Sequence, residues 1–312
     1  MTPSLRLAHV VAVQADAALA RLTLESIALQ ERPADLVVVV GDSGQQHAFG
    51  PAAQAPQPGR RPPVEYVWLP AASHGSASLG ALYLEGLRAV ARRADVAILC
   101  RAGLLFREHH LRAVEQDFSA SADLVGLLET ATDIVDLDVT APARDAAAIL
   151  AAPPPRGLSA IARRRLAPRL AAGYALCART AVVPGLAFHR FSDRFDWIEF
   201  SRFIEDLAPR GRTATTATAA IVNLRRVADR RSGLEAGRQA YRALAALVDD
   251  TSGRPMPARR EMIRLGLHHA ARALRDPAER GWSLSFLAGM WSARVATRTT
   301  RRAVARDLHD LV

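Results

Sequence analysis

The chain has 312 residues, half of them hydrophobic, and a mean hydropathy of +0.03. That is enough to bury a large core, as one big domain or a domain with an extension, and too apolar for a disordered chain. The net charge of +10 comes from 41 basic and 31 acidic residues, every basic one an arginine; together with the abundant alanine this reads as a GC-rich coding sequence rather than a nucleic-acid footprint, and 5% aromatics offer no base-stacking platform.

The charge is uneven: residues 231–312 carry 15 Arg against 8 Asp and Glu, a net of +7, which leaves +3 for the first 230. The two cysteines, Cys100 and Cys177, form neither a disulfide framework nor a metal-ligand cluster, so a reducing cytoplasm is expected. Met1–Arg6 lacks the architecture of a signal peptide. The apolar runs fall short of the roughly 20 residues a membrane span needs, so the expectation is a soluble or at most peripheral protein.

In chain order, Leu7–Val13 is a short apolar run of strand length. Ala17–Gln30 has helical composition, with Leu19, Leu22 and Leu29 as the buried face and Arg21, Glu25 and Gln30 outward. Leu36–Val40, β-branched and bounded by Pro33 and Gly41, suits a parallel strand buried on both faces. Strand, helix and strand make a βαβ unit with a right-handed crossover. Gln45–Pro63 is a loop rich in Pro, Gly and Gln, Val64–Leu69 a third strand, and Leu79–Arg92 a helix carrying Leu82, Leu87 and Val90.

Ala94–Phe106 (ADVAILCRAGLLF) organises the chain. Val96–Leu99 reads as a buried strand that breaks at Cys100-Arg101-Ala102-Gly103, with Leu104-Leu105-Phe106 as a second apolar step. Ligands of open α/β folds are held at the carboxyl ends of such strands. A helix is expected over Glu108–Phe118 and strands over Leu124–Leu128 and Tyr174–Arg179; Asp136–Ala172 gives no clear pattern. Ile198–Ala208 is helical, Thr213–Leu224 β-prone, and residues from Ser232 onward mostly helical with breaks at Thr251–Pro257 and Asp276-Pro277.

Several segments, in the same order, resemble the family 2 glycosyltransferases. The helix with Arg21-Leu22-Thr23-Leu24-Glu25-Ser26-Ile27 is similar to that family's "TLESL" helix, and Leu36–Val40 with Gly41-Asp42-Ser43-Gly44 to its strand ending in "DDGS". Leu69–Gly75 takes the place of an Asn-x-Gly segment, and Glu85-Gly86-Leu87-Arg88-Ala89 that of "N-x-G-L-x-x-A". Ile98–Leu105 replaces "FLDADD", and Phe195-Asp196-Trp197 with Arg202 resembles an acceptor-side "E-D-W" motif. The resemblance spans about residues 5–225. It implies an α/β, GT-A-like fold over residues 1–230: a mixed, mostly parallel sheet flanked by helices, followed by a basic helical extension, 231–312. It also implies a nucleotide-sugar donor, a saccharide or lipid-linked acceptor, and inversion at the transferred sugar.

On the same resemblance, Asp42 accepts hydrogen bonds from the base or ribose of the donor. Asp196 is the general base for the acceptor hydroxyl, with Asp193 in reserve. As residues alone, Asp42 is equally a turn aspartate and Asp196 equally a helix N-terminal acid. The family holds Mg²⁺ or Mn²⁺ on a D-x-D motif, where this chain has Cys100-Arg101-Ala102. Neither Arg nor Ala binds a hard cation, and a lone Cys prefers soft ones. The family's histidine ligand after the last strand is replaced by Leu224 in Ala220-Ile221-Val222-Asn223-Leu224. The expectation is therefore no metal cofactor. Arg101 then either substitutes for the cation at the diphosphate, or the domain is an inactive pseudo-transferase used for binding. The C-terminal helices, Arg259–Arg275 and Ser283–Asp307, mix Leu, Ile and Trp with arginines. They read either as a helical subdomain packed on the core or on a dimer partner, the more economical reading, or as a basic surface resting on anionic lipid. No nucleic-acid partner is expected.

Overall fold

The β-branched run before Gly41 forms the strand it predicts, and the architecture builds outward from it. The structure, a computed structural model, describes residues 4–13, 17–42, 64–69, 79–137, 145–151, 173–184, 200, 203–204 and 206–226, and further along 234, 237–238, 241, 266–267, 270–271, 273–274, 280–281 and 283–295. The elements are β1 (Leu7–Val13), α1 (Ala17–Ala28), β2 (Leu36–Asp42), β3 (Val64–Leu69), α2 (Leu79–Val90), β4 (Val96–Arg101), β5 (Leu104–Phe106), α3 (His110–Ala120), β6 (Leu124–Leu137), α4 (Ala146–Ala151), β7 (Tyr174–Arg179) and β8 (Arg212–Arg226).

All eight strands join one sheet in the order β3-β2-β1-β4-β7-β6-β8-β5. β3, β2, β1 and β4 are mutually parallel, whereas β7 is antiparallel to both β4 and β6. This is the mixed, mostly parallel sheet expected. β1 is buried along its whole length, as a central strand covered on both faces must be. On one face, Val11, Val37, Ile98 and Cys100 pack with Ala20 and Ile27 of α1 and Leu111, Val114 and Phe118 of α3. α2 covers the other face. A Cβ on Gly86 would lie 2.2 Å from Val10 Cγ1 and 3.1 Å from Val40 Cγ2, so glycine is what lets this helix press onto β1 and β2.

Three expectations are corrected. β6 runs to Leu137, not Leu128, because its polar second half is paired in parallel with β8, with an irregularity between Ala131 and Asp133. Leu29 is 48% exposed rather than buried, because α1 ends at Ala28. Gln30, expected outward, is buried, and its amide is used in the interior.

The chain divides into two compact units, residues 1–226 and 227–312. In the second, a Cβ on Gly237 would lie 2.0 Å from Phe286 O, and one on Gly289 would lie 2.0 Å from Leu234 O. Two backbones thus meet at small residues, and Arg238 Nε donates to Ser292 Oγ (3.2 Å) beside the crossing. Ser283, Phe286, Met290 and Ala293 form the buried side of the helix over 283–295.

Candidate functional site

The chain leaves β1 for β2 and β3 on one side, then returns through α2 to β4 on the other side of β1. The direction of winding therefore reverses between β1 and β4, and the crevice beyond their carboxyl ends is where an open α/β sheet holds a ligand. Register fixes what stands there. Arg101 lies opposite Ala12, Gly41 opposite Val13, and Asp42 closes β2 opposite Leu69. Asp42 and Arg101 thus end strands on either side of β1. Trp68, a residue the sequence reading did not single out, lies across Gly41: a Cβ there would be 2.6 Å from its ring.

The segment after Arg101 is held from three directions. Ala102 N–H donates to Ala12 O (2.9 Å), and Leu224 N–H donates to Gly103 O (2.8 Å). Gly103 N–H donates to Thr23 Oγ1 (2.9 Å). Gly103 has φ +98°, in the region that L side chains avoid, so this tight reversal requires glycine. α1 continues the hold down its length. Ser26 Oγ accepts Phe106 N–H (3.1 Å), and Gln30 Nε2 donates to Phe106 O (3.0 Å) and Arg107 O (2.8 Å). Gln30 Oε1 accepts Leu111 N–H (3.1 Å) at the start of α3. Thr23, Ser26 and Gln30 stand three and four residues apart, on one side of the helix and its exit. In the sequence reading Thr23 and Ser26 have no such role and Gln30 is placed outward, so this polar stripe through an apolar interface is not anticipated there. The signal was their alignment with each other, not with the leucines.

Of the residues expected at the strand end, Arg101 and Ala102 are partly exposed there. Cys100 is not available to a ligand. Its side chain is fully buried, packed in the apolar cluster with Val11, Ile98 and Cys177. The two thiols are on adjacent strands, β4 and β7, and neither is in a disulfide. Burial, reinforced by the Glu129 carboxylate, pushes the Cys177 thiol well up, so it stays protonated and donates to Glu129 Oε2 (3.4 Å). His110 Nε2 is 2.8 Å from the same oxygen. Nearby, His9 is wholly buried against the Phe106 ring (4.8 Å between centroids), and burial, with His110 next in weight, holds its pKa well below 6.5. Asp193, Asp196, Trp197 and Arg202 lie outside the described residues.

The two positions that the resemblance implies for a metal site lie on segments that touch, since Leu224 N–H donates to Gly103 O. Their chemistry does not fit a metal. The thiol of Cys100 is turned inward, Arg101 is a cation, Ala102 has no donor, and Leu224 is buried with Leu22 and Leu105. Among the described residues no group of three or more His, Cys, Asp or Glu side chains could hold a metal ion.

No family model matches the sequence, and no curated protein is similar to it at the level of sequence. Solved structures are. The mannosyltransferase PcManGT from Pyrobaculum calidifontis, in complex with GDP-Man and Mn²⁺, is similar over 97% of this chain and 81% of its own, at 16% identity and a TM-score of 0.51. TarS 1-349 from S. aureus is similar over 93% of this chain and 92% of its own, at 12% identity and a TM-score of 0.44. The chain thus has a GT-A-like fold, that of the nucleotide-diphospho-sugar transferases.

Proposed function

We propose that the protein is a glycosyltransferase, of the family 2 type, that uses a nucleotide-sugar donor without the family's divalent metal. What supports this reading is that Asp42 and Arg101 close strands on either side of β1, at the carboxyl edge of the sheet, with an arginine where the resemblance puts a metal ligand. Asp42 accepts hydrogen bonds from the nucleoside, and the Arg101 guanidinium makes paired bonds to the diphosphate. An acceptor hydroxyl oxygen attacks the anomeric carbon as the bond to the diphosphate oxygen breaks. That bond's electron pair leaves with the nucleoside diphosphate, and the hydroxyl proton passes to Asp196, or to Asp193. A single displacement inverts the anomeric centre. The product belongs to polysaccharide or glycolipid assembly on the cytoplasmic side, and the basic residues 231–312 make peripheral contact with a membrane.

Calorimetric titration with UDP and GDP, each in EDTA and in excess Mn²⁺, tests the donor site. Wild type is expected to bind one of them equally well in both conditions, and Arg101→Ala to lose at least tenfold in affinity. Binding that needs Mn²⁺ refutes the metal-free site. Absence of binding in every condition refutes the donor site for these two bases, and favours the pseudo-transferase reading.

A further inference from the structure

The helix over 283–295 is apolar on two opposite sides. One side, Ser283, Phe286, Met290 and Ala293, is buried. The other presents Leu284 (52% exposed), Trp291 (65%) and Val295 (48%), with exposed Ala288 between them. Residues 284, 288, 291 and 295 are spaced four, three and four apart, which aligns them in one stripe along the helix. A surface helix needs only one apolar side to hold its place, and the second stays exposed among the described residues. It is also no isolated case within residues 227–312. Leu267 and Leu274, two turns apart, are exposed as well, so this unit supplies five of the seven exposed large apolar side chains among the described residues.

We propose that the Leu284–Trp291–Val295 stripe is a docking surface for an anionic lipid bilayer. The proposal sharpens the membrane contact in the functional reading, and glycosyl transfer is not needed for it. Charge decides the occupant. Residues 231–312 carry a net +7, all of the positive charge as arginine. A second copy of the chain seated on the stripe would bring +7 against +7, whereas an anionic surface is attracted by each arginine it meets. The side chains suit the same occupant. Tryptophan sits well at the boundary between acyl chains and headgroups, and the Arg294 guanidinium lies 5.6 Å from the centre of the Trp291 ring, which puts a cation at the level of the headgroups when the indole enters. Among the described residues no helix is long and apolar enough to cross a membrane, so the contact is one of lying on the surface.

Flotation of the full chain with vesicles tests this, using phosphatidylcholine alone or mixed with phosphatidylglycerol. Wild type is expected to float with the mixed vesicles, to stay behind with phosphatidylcholine, and to bind more weakly as salt is raised. Leu284→Glu combined with Trp291→Glu should weaken binding at least tenfold. Trp291→Phe should keep flotation and abolish part of the blue shift of tryptophan emission on vesicle addition. UDP and GDP titrations of the double variant should match wild type, so failure of the docking surface and failure of the donor site are read separately. The proposal is overturned if the mixed vesicles do not retain wild type, if the double variant floats like wild type, or if phosphatidylcholine alone binds as well. It is also overturned if wild type is a dimer without vesicles and the double variant a monomer, since the stripe would then be covered by a second copy.

Discussion

His9 gives the most direct test of the core. It stands on β1 between Val37 and Ile98 in register, wholly buried, and among the described residues neither ring nitrogen has a hydrogen-bond partner. Phe106 and His110 are its ring neighbours, at 4.8 and 6.3 Å. Burial, then His110, lowers its pKa well below 6.5. The unfolded chain therefore binds a proton that the folded chain refuses. Stability from this residue is fully present above pH 6.5 and is lost as pH falls from there toward the folded-state pKa. Each pH unit between 6.5 and the folded-state pKa removes about 1.4 kcal/mol. His9→Leu replaces the ring by an apolar side chain of similar volume and deletes the proton. Urea unfolding of both proteins at several pH values gives the difference curve. The variant should match wild type at pH 7.5, or exceed it by about 1 kcal/mol for the two nitrogens no longer buried unpaired, and its advantage should grow as pH falls below 6.5, at up to about 1.4 kcal/mol per pH unit. Carboxylates held low by partners, such as Glu65 beside Arg93, lose their contribution only below about pH 4.5 and in both proteins, so they cancel. A difference that does not change with pH would mean that His9 takes up its proton in the fold, and the reasoning would fail.

Two further perturbations probe what positions the site. Gly86→Ala puts a methyl group against Val10 and Val40 on the other face of β1 and β2; an urea midpoint lowered by an equivalent of about 1–3 kcal/mol is expected, and an unchanged one would mean α2 sits looser than described. Thr23→Val and Ser26→Ala should each cost about 1–2 kcal/mol and speed amide exchange selectively at Gly103 and Phe106, which mass-spectrometric hydrogen exchange resolves; a uniform rise along the chain would count against a local hold.

The β-rich half of the fold was readable because its strands are buried on both faces. Leu7–Val13, Leu36–Val40 and Tyr174–Arg179 announce themselves by continuous apolar or β-branched runs, with no help from alternation. The second half of β6 was not readable. Thr130–Leu137 is a strand by virtue of β8 beside it, and nothing local says so. At the site, sequence order located the strand ends, yet it could not tell which side chains turn toward the crevice. Cys100 and Arg101 are adjacent, so the pleat sends them to opposite faces, and which one goes inward depends on register with His9 and Val11. Gln30 turns inward for a related reason: helical periodicity over Ala17–Gln30 runs two residues past the end of α1 at Ala28, where the backbone no longer obeys it.

Charge sets a further condition on the crevice. A bound divalent cation brings two positive charges to a diphosphate and fixes its oxygens by coordination, whereas one guanidinium brings a single charge and two parallel hydrogen bonds. Arg101 can replace the metal in geometry only if its strand end is held rigidly, because a swinging arginine loses through disorder what it gains by pairing. The polar stripe of α1 meets that need. Thr23 fixes Gly103 and Ser26 fixes Phe106, while Ala12 fixes Ala102 from the neighbouring strand, so the backbone that follows Arg101 is tied at three of its next five residues. Nothing in the stripe supplies the second charge. The missing charge makes a metal-free donor site more sensitive to salt than a metal-bound one, since its affinity comes from a partly exposed side chain. Nucleotide titration across ionic strength is therefore the measurement that separates an arginine-based site from a cation-based one even before any acceptor is known: affinity falling steeply with salt and indifferent to EDTA belongs to the first, and the reverse pattern belongs to the second.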